Sequence, residues 1–283
     1  MTTLREIKNC VFGNGWVESF DCADEVIRVC KNRPLRREAG FDTDEQKKHH
    51  RSFTGVESWE EACEFLKTGY QPSVEKFKTG VKASLAGQGK RISFFNDVVG
   101  FQPIVPLALQ GVPCSMQNSY MKPIKAKVLD VYYDMTVNCG IDKKDLQAAG
   151  EKLLGAILGL EMQGYKFNLY AIQTYCDSRS FDMLCTKVKA SNTPLDLRKI
   201  SFPLTHPGYF RCIGFDWYSR MPKSKYRGGY GYPLSSEYNE ERLKKGFQQI
   251  FGKNAVAFAA AKIIETDAEH IKGVLTNAPV KEG

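Results

Sequence analysis

The sequence predicts an α/β protein built as a three-layer α/β sandwich, with a mostly parallel sheet, an antiparallel edge strand and a smaller, mainly helical N-terminal region. Three observations favour this fold class. Residues 126–135 and 166–175 are rich in β-branched and aromatic residues, which is typical of strands. Residues 143–163 between them space their apolar side chains as a helix does. A strand, a long helix and a second strand in this order form a right-handed parallel crossover.

The composition excludes several protein classes. The chain has 283 residues, of which 42% are hydrophobic and 25% charged. This is enough apolar material for a core, so a collagen or a wholly disordered chain is excluded. The sequence contains no run of about 18 apolar residues, so we expect no membrane span. Residues 1–6 lack the apolar core of a signal peptide. The nine cysteines form no C-x-x-C pair, so we expect reduced thiols and no zinc knuckle.

The N-terminal region, residues 1–120, is predicted to consist of short helices and irregular connections. Residues 18–31 show helical spacing. Ser58 and Glu61 form a capping box that starts a second helix, and Gly69 is a natural stop for it. A third helix is predicted from Ser73.

A proline-rich connector is predicted to close this region. Residues 92–121 contain apolar runs interrupted by Pro103, Pro106 and Pro113. Proline at this density prevents one long helix and favours a packed, irregular segment. We therefore place the domain boundary between residues 120 and 121.

The C-terminal domain, residues 121–283, begins with the strand at 126–135, and Asp142 is expected to cap the helix that follows. The link between residues 175 and 181 is too short for anything but an antiparallel partner strand, which is predicted at 181–189. The remaining predicted elements are helical turns at 195–200 and 207–219, a helix at 236–251 and a helix at 267–275. Residues 254–261 fit a strand or a helix, and we favour a strand because the helical run at 267–275 follows them.

A polar loop follows the first strand, at the edge where open α/β sheets bind ligands. It contains Asp134, Thr136 and Asn138, spaced as D-x-T-x-N. This loop and the order of elements over residues 124–276 resemble a von Willebrand factor A-type domain. The resemblance implies that the three side chains hold a divalent cation, Mg²⁺ or Ca²⁺, whose oxygen preference they suit. The chain is one hydroxyl short of the family pattern.

Two points about this loop stay open. The resemblance implies two later ligands, for which Thr205 and Asp177 are the available matches. The alternative interpretation is that Asp134 and Thr136 only cap the turn after the strand.

A second resemblance covers more of the chain. The segments at 96–100, 111–116 and 158–165 resemble an uncharacterised family of phage and prophage proteins. This resemblance implies an origin in a mobile element, and so a location in the cytoplasm of the host cell or in association with the virion. It implies no mechanism.

A basic segment rich in tyrosine and glycine is the second candidate site. The net charge of +8 is concentrated in residues 121–283, and part of it lies in this segment. Lys and Arg neutralise phosphates and tyrosines stack on unpaired bases. The alternative interpretation is a glycine-rich surface loop. The candidate nucleic-acid-binding residues are Arg220, Lys223, Lys225, Tyr226, Arg227, Tyr230 and Tyr232, supported by Lys187, Lys189, Arg198 and Lys199.

Catalytic signatures are weak. Common nucleotide-binding and hydrolase motifs are absent from the sequence. Asp130 and Asp134 are predicted on one face of a strand as a carboxylate pair, and His206 and Cys212 are a distant second pair. We expect a non-enzymatic protein-interaction or assembly module that binds a protein partner through the top of the sandwich, with homo-oligomerisation through the antiparallel edge strand. A nucleic-acid-binding protein and an enzyme with an Asp130/Asp134 site are the alternatives.

Overall fold

A computed structural model describes residues 2–36, 51–85, 92–121, 127–177, 179–222, 232–279 and 281–282. The strands in these ranges are β1 Thr3–Cys10, β2 Gly13–Phe20, β3 Ile92–Asp97, β4 Gln102–Pro103, β5 Met116–Met121, β6 Lys127–Asp134, β7 Tyr165–Cys176, β8 Ser180–Lys189, β9 Ala255–Ala259 and β10 Lys281–Glu282. The helices are α1 Ala23–Asn32, α2 Trp59–Thr68, α3 Gln71–Leu85, α4 Val105–Leu109, α5 Lys143–Glu161, α6 Leu197–Thr205, α7 Phe215–Arg220, α8 Leu234–Glu237, α9 Glu240–Phe251, α10 Ala260–Glu265 and α11 Ala268–Thr276, and a π-helical segment, Tyr209–Gly214, precedes α7.

The main sheet is mixed and has helices on both faces, which confirms the predicted α/β class. Its strand order is β1-β2-β8-β7-β6, and β9 and β10 both pair with the far edge of β6. The pairs β2/β8, β6/β7 and β6/β9 are parallel, whereas β1/β2, β7/β8 and β6/β10 are antiparallel. The predicted crossover β6–α5–β7 is therefore present, and β8 is antiparallel to β7 as its short link requires.

Alternation along β6 separates two cores. Leu129, Val131 and Tyr133 belong to the larger apolar cluster, whereas Tyr132 belongs to a second cluster on the opposite face. Helix α5 buries its apolar stripe in the larger cluster, and α9 packs on the smaller one.

Local signals determine where the predicted helices begin. The Asp142 side chain accepts a hydrogen bond from the backbone N–H of Lys144, which caps α5. Ser58 accepts from the backbone N–H of Glu61 and so caps α2, and Gly69 ends that helix at a positive φ of 85°.

The first residues of the chain correct the prediction of a helical N-terminus. β1 and β2 form a hairpin, and β2 pairs in parallel with β8 from Asn14–Ser180 to Phe20–Thr186. Helix α1 starts only at Ala23. The main sheet therefore takes strands from both sides of the predicted boundary at 120–121, while the division into domains itself stays a prediction.

The position of the antiparallel strand is also corrected. β8 was expected at or near the edge, available for pairing, but the hairpin β1/β2 covers it. Within the described residues, the edges of the main sheet are β1 on one side and β9 with β10 on the other.

Residues 92–121 are not an irregular connector. They form a separate three-stranded antiparallel sheet in the order β3-β5-β4, with α4 between β4 and β5. We call this substructure the arm. In the described part of the chain its elements pack mainly on one another.

Candidate functional site

The predicted cation loop lies at the carboxyl end of β6. Asp134 is fully buried and Thr136 is 3% exposed, whereas Asn138 is exposed. The three residues therefore do not form one accessible cluster.

The hydrogen bonds of Asp134 connect β6 to β7. Its Oδ1 accepts from the backbone N–H of Thr136 at 3.0 Å, and its Oδ2 accepts from the hydroxyl of Thr174 at 2.9 Å. The Thr136 hydroxyl oxygen accepts from the backbone N–H of Thr174 at 2.7 Å. These hydrogen bonds agree with the alternative interpretation, in which Asp134 and Thr136 cap the turn after the strand. They also involve Thr174, which sequence reasoning missed.

Burial raises the pKa of Asp134 to about 6, and its hydrogen bonds to Thr136 and Thr174 oppose that rise. The carboxyl group therefore changes its protonation state close to neutral pH. Asn138 is engaged elsewhere, since its Oδ1 accepts from the hydroxyl of Ser236 at 3.3 Å.

The two further ligands implied by the resemblance have other partners. Thr205 donates to the backbone oxygen of Ser201 at 2.7 Å and contacts the Ser73 hydroxyl. Asp177 accepts from the backbone N–H groups of Arg179 and Ser180 and so shapes the β7–β8 turn. Among the described residues, no group of three or more His, Cys, Asp or Glu side chains is arranged to hold a metal ion. A cation at Asp134, Thr136 and Asn138 stays a prediction.

A buried arginine fixes the outer part of this loop. Arg211, in the π-helical segment, is 3% exposed and donates to the backbone oxygens of Phe53 and Ile141, each at 2.9 Å. Its guanidinium also lies 4.4 Å from the centre of the Phe53 ring. Arg211 thereby ties the loop to Phe53 in the N-terminal part of the chain.

The two ends of the basic segment are held by the body of the protein. Arg220 forms an ion pair with Asp216 at 2.9 Å and donates to the backbone oxygen of Arg33. Tyr232 is 61% exposed, and its backbone pairs with that of Cys176. The other candidate residues, Lys223, Lys225, Tyr226, Arg227 and Tyr230, lie outside the described residues, so binding of nucleic acid there stays a prediction.

The four supporting basic residues differ in their surroundings. Lys189 is buried and paired with Glu161 at 2.7 Å. The amino group of Lys187 lies over the Tyr170 ring. Arg198 and Lys199 are exposed on α6.

All four members of the candidate catalytic pairs are buried. Asp130 and Asp134 are four residues apart on β6, which separates their Cα atoms by about 13 Å. Asp130 accepts from the side chain of Asn168. Burial raises the pKa of the Cys212 thiol to about 12 and lowers that of His206 to about 4. The His206 Nδ1 already accepts the backbone N–H of Gly208.

The arm is a surface that sequence reasoning missed. Asp97 is its one charged residue, in a chain that is 25% charged. This scarcity of charged residues is the sequence signal that could have indicated a surface for contact with a partner. Many of its large apolar side chains are exposed: Phe94 58%, Phe95 39%, Val98 63%, Val99 75%, Phe101 60%, Val105 57%, Leu109 83% and Val112 37%.

A groove runs along the outer edge of β9. It has a volume of about 560 Å³. Its floor is β9, one wall is α9 and the other is formed by α10 and α11. Its apolar lining includes Leu243, Phe247, Phe258, Ile271 and Val274, and its polar rim includes Glu240, Lys244, Lys262 and His270.

Comparison with known proteins places most of the chain in one family. A family model whose description is Domain of unknown function (DUF7192) matches residues 5–271. No curated protein and no solved structure matches the chain. Among the described helices, none is both long and apolar enough to cross a membrane.

Proposed function

This chain belongs to the family described as Domain of unknown function (DUF7192), and from that premise we propose that it is a non-enzymatic protein-interaction module whose contact surface is the arm. The observation that supports the proposal most directly is the set of exposed apolar side chains on residues 92–121. Contiguous apolar patches on a protein surface mark interaction sites.

The chemistry of the arm suits a protein partner. Interface cores are depleted in charged residues and enriched in aromatic residues and methionine. The arm exposes three phenylalanines, Phe94, Phe95 and Phe101, and has a single acidic residue. It offers no lysine or arginine to a phosphate backbone, so a nucleic acid does not fit this surface.

The body of the protein supports a scaffold role. Asp134, His206 and Cys212 are buried, and hydrogen bonds inside the protein occupy the first two. These groups lie inside the fold that carries the arm.

Two finer assignments belong to the same proposal. The order β8-β7-β6-β9, with α5 as a parallel crossover, supports a von Willebrand A-like arrangement of residues 127–259. The likeness of the segments at 96–100, 111–116 and 158–165 to phage proteins supports an origin in a phage or prophage.

Site-specific photo-crosslinking tests the proposed contact surface. A photoreactive amino acid replaces Leu109, and in a matched control it replaces Leu35, which is 47% exposed outside the arm. In cells that produce the full chain, we expect a discrete protein adduct at position 109 that is stronger than any adduct at 35. The adduct should disappear when Val99→Glu is added. Equal labelling at both positions, or an adduct that Val99→Glu leaves unchanged, would contradict the proposal.

A further inference from the structure

We propose that the groove beside β9 receives the arm of a second copy of this chain, so that the protein self-associates through arm and groove. This inference rests on the proposed function, because it names the partner of the arm. The groove and the arm are both apolar features that the packing of the described residues leaves open.

The groove is shaped for an added segment of chain. β9 pairs with β6 through one edge only, and in the described residues no strand pairs with its opposite edge. Such an edge is a template for strand addition. The far edge of β6 already accepts an antiparallel strand from elsewhere in the chain, since Lys281 of β10 lies opposite Val128.

The size of the groove requires a projecting occupant. Its volume of about 560 Å³ lies within the range of pockets that enclose a ligand, about 300–1,000 Å³. A pocket of this size has room for several side chains, which suits a segment that projects from its partner. The arm projects as a small sheet with Val99 and Leu109 among its most exposed side chains.

Charge also favours the arm as occupant. Lys244 and Lys262 lie on the groove rim, and the chain carries a net charge of +8. Like charges would oppose most contacts between two copies. The arm has no Lys or Arg, and its one charged residue, Asp97, is complementary to Lys244 and Lys262 on a rim that also carries one acid, Glu240.

The occupant comes from a second copy rather than from the same chain. None of the residues that line the groove belongs to the arm. A surface on one copy that fits a different surface on the next copy makes a heterologous contact, which builds assemblies of two or more copies.

A complementation experiment with purified full-length chains tests the inference. Leu109→Lys disables the arm, and Val274→Lys, at a position 37% exposed in the groove, disables the groove. In sedimentation velocity, we expect the wild type to self-associate. For each variant alone, we expect the Kd of self-association to rise about tenfold or more, and a tenfold rise corresponds to a loss of about 1.4 kcal/mol of binding free energy. An equal mixture of the two variants should form a heterodimer, because one intact arm still meets one intact groove. The control variant Leu35→Lys should behave as the wild type.

The outcomes separate the two proposals. If Leu109→Lys is monomeric but Val274→Lys still assembles, the arm binds something other than the groove and this inference is wrong. If each variant alone and the mixture all stay monomeric, an intact arm on one copy does not bind an intact groove on another, and the inference is also wrong. A monomeric wild type overturns the inference, while a crosslinked adduct of position 109 with another protein would still support the proposed function.

A covalent measurement covers the case in which a lysine in the groove prevents folding. Val274→Cys places a thiol in the groove, and the native Cys114 lies exposed in the arm. In a mixture of isotopically light and heavy chains, a short bismaleimide should link Cys114 of a light chain to residue 274 of a heavy chain, and the reverse. If the links join only light chains to light chains and heavy chains to heavy chains, they lie within single copies and contradict the inference.

Discussion

Asp134 and His206 illustrate how burial acts on single residues in this protein. Burial raises the pKa of Asp134 to about 6, because it disfavours the carboxylate, and lowers the pKa of His206 to about 4, because it disfavours the imidazolium. Between pH 4 and 6.5 the two residues change the free energy of unfolding in opposite directions. The pH profile of the wild type therefore reports neither residue alone, whereas a difference between variants isolates one.

Asp134→Asn tests the raised pKa. The folded state holds the Asp134 proton at a higher pH than the unfolded state does, so this residue's contribution to stability is present below about pH 4 and is lost as the pH rises through 6. The wild type should exceed the variant in stability by more at pH 5 than at pH 7.5, with the change in that difference on the order of 1–3 kcal/mol. Urea denaturation at the two pH values measures it. Parallel profiles of wild type and variant would contradict the prediction.

Two companion measurements complete this test. Thr174→Val removes a hydrogen-bond donor that lowers the pKa of Asp134, so the pH-dependent loss should move to higher pH. Thermal unfolding of EDTA-treated protein with millimolar Mg²⁺ or Ca²⁺ addresses the predicted cation. A rise in Tm that Asp134→Asn abolishes is expected if the loop holds one.

At the scale of elements, Gly246 of α9 and Gly155 of α5 differ in how closely other atoms pack against them. A Cβ atom on Gly246 of α9 would lie 2.2 Å from the ring of Phe12, which is fully buried in the turn between β1 and β2. A Cβ atom on Gly155 of α5 would meet no atom within 4 Å. The first glycine permits the N-terminal hairpin to pack on α9, and the second has no such role.

The glycine pair gives opposite predictions. Gly246→Ala should destabilise the protein by about 1–3 kcal/mol, because the Phe12 ring must move within a packed core. Gly155→Ala should stabilise it by about 0.5–1 kcal/mol, because alanine is the better residue in an exposed helix interior. Chemical denaturation of both variants measures the effects, and the same sign for both would contradict this account.

Elements with a strong local pattern were predictable from the sequence, whereas those defined by distant partners were not. The β-branched and aromatic composition of β6, the cap at Asp142 and the short β7–β8 link are all local signals, and each predicted feature is confirmed. Residues 18–20 satisfy a helical spacing as well, and only their pairing with β8 makes them a strand. Thr174 was missed because its contact with Asp134 depends on the register between β6 and β7.

At the scale of the whole molecule, the arm and the N-terminal hairpin differ in how they attach. In the described residues the arm packs mainly on itself, whereas the hairpin supplies two strands to the main sheet and buries Phe12, Val17 and Phe20. One is a projection from the fold, and the other is part of its core.

Replacement of each segment by a Gly/Ser linker should show this difference. Without residues 92–121 we expect the Tm of the remaining protein to stay within a few degrees and its binding of a hydrophobic dye to fall, because the exposed apolar side chains are gone. Without residues 3–20 we expect cooperative unfolding to be lost, because β8 and α9 lose their partners. Differential scanning calorimetry and dye fluorescence measure both effects. A large fall in Tm without the arm would show that the arm is part of the core.

The pairing of Phe20 with Thr186 joins two positions that are separated by 166 residues of chain. Ribosomes add about 5–20 residues per second, so β8, the strand that pairs with β2, is synthesised roughly 8–33 s after β2. During that interval the hairpin has left the ribosome with Val17 and Phe20 uncovered, and a chaperone that shields apolar segments would meet it there. Synthesis of this protein should therefore depend on such chaperones more than its final stability would indicate.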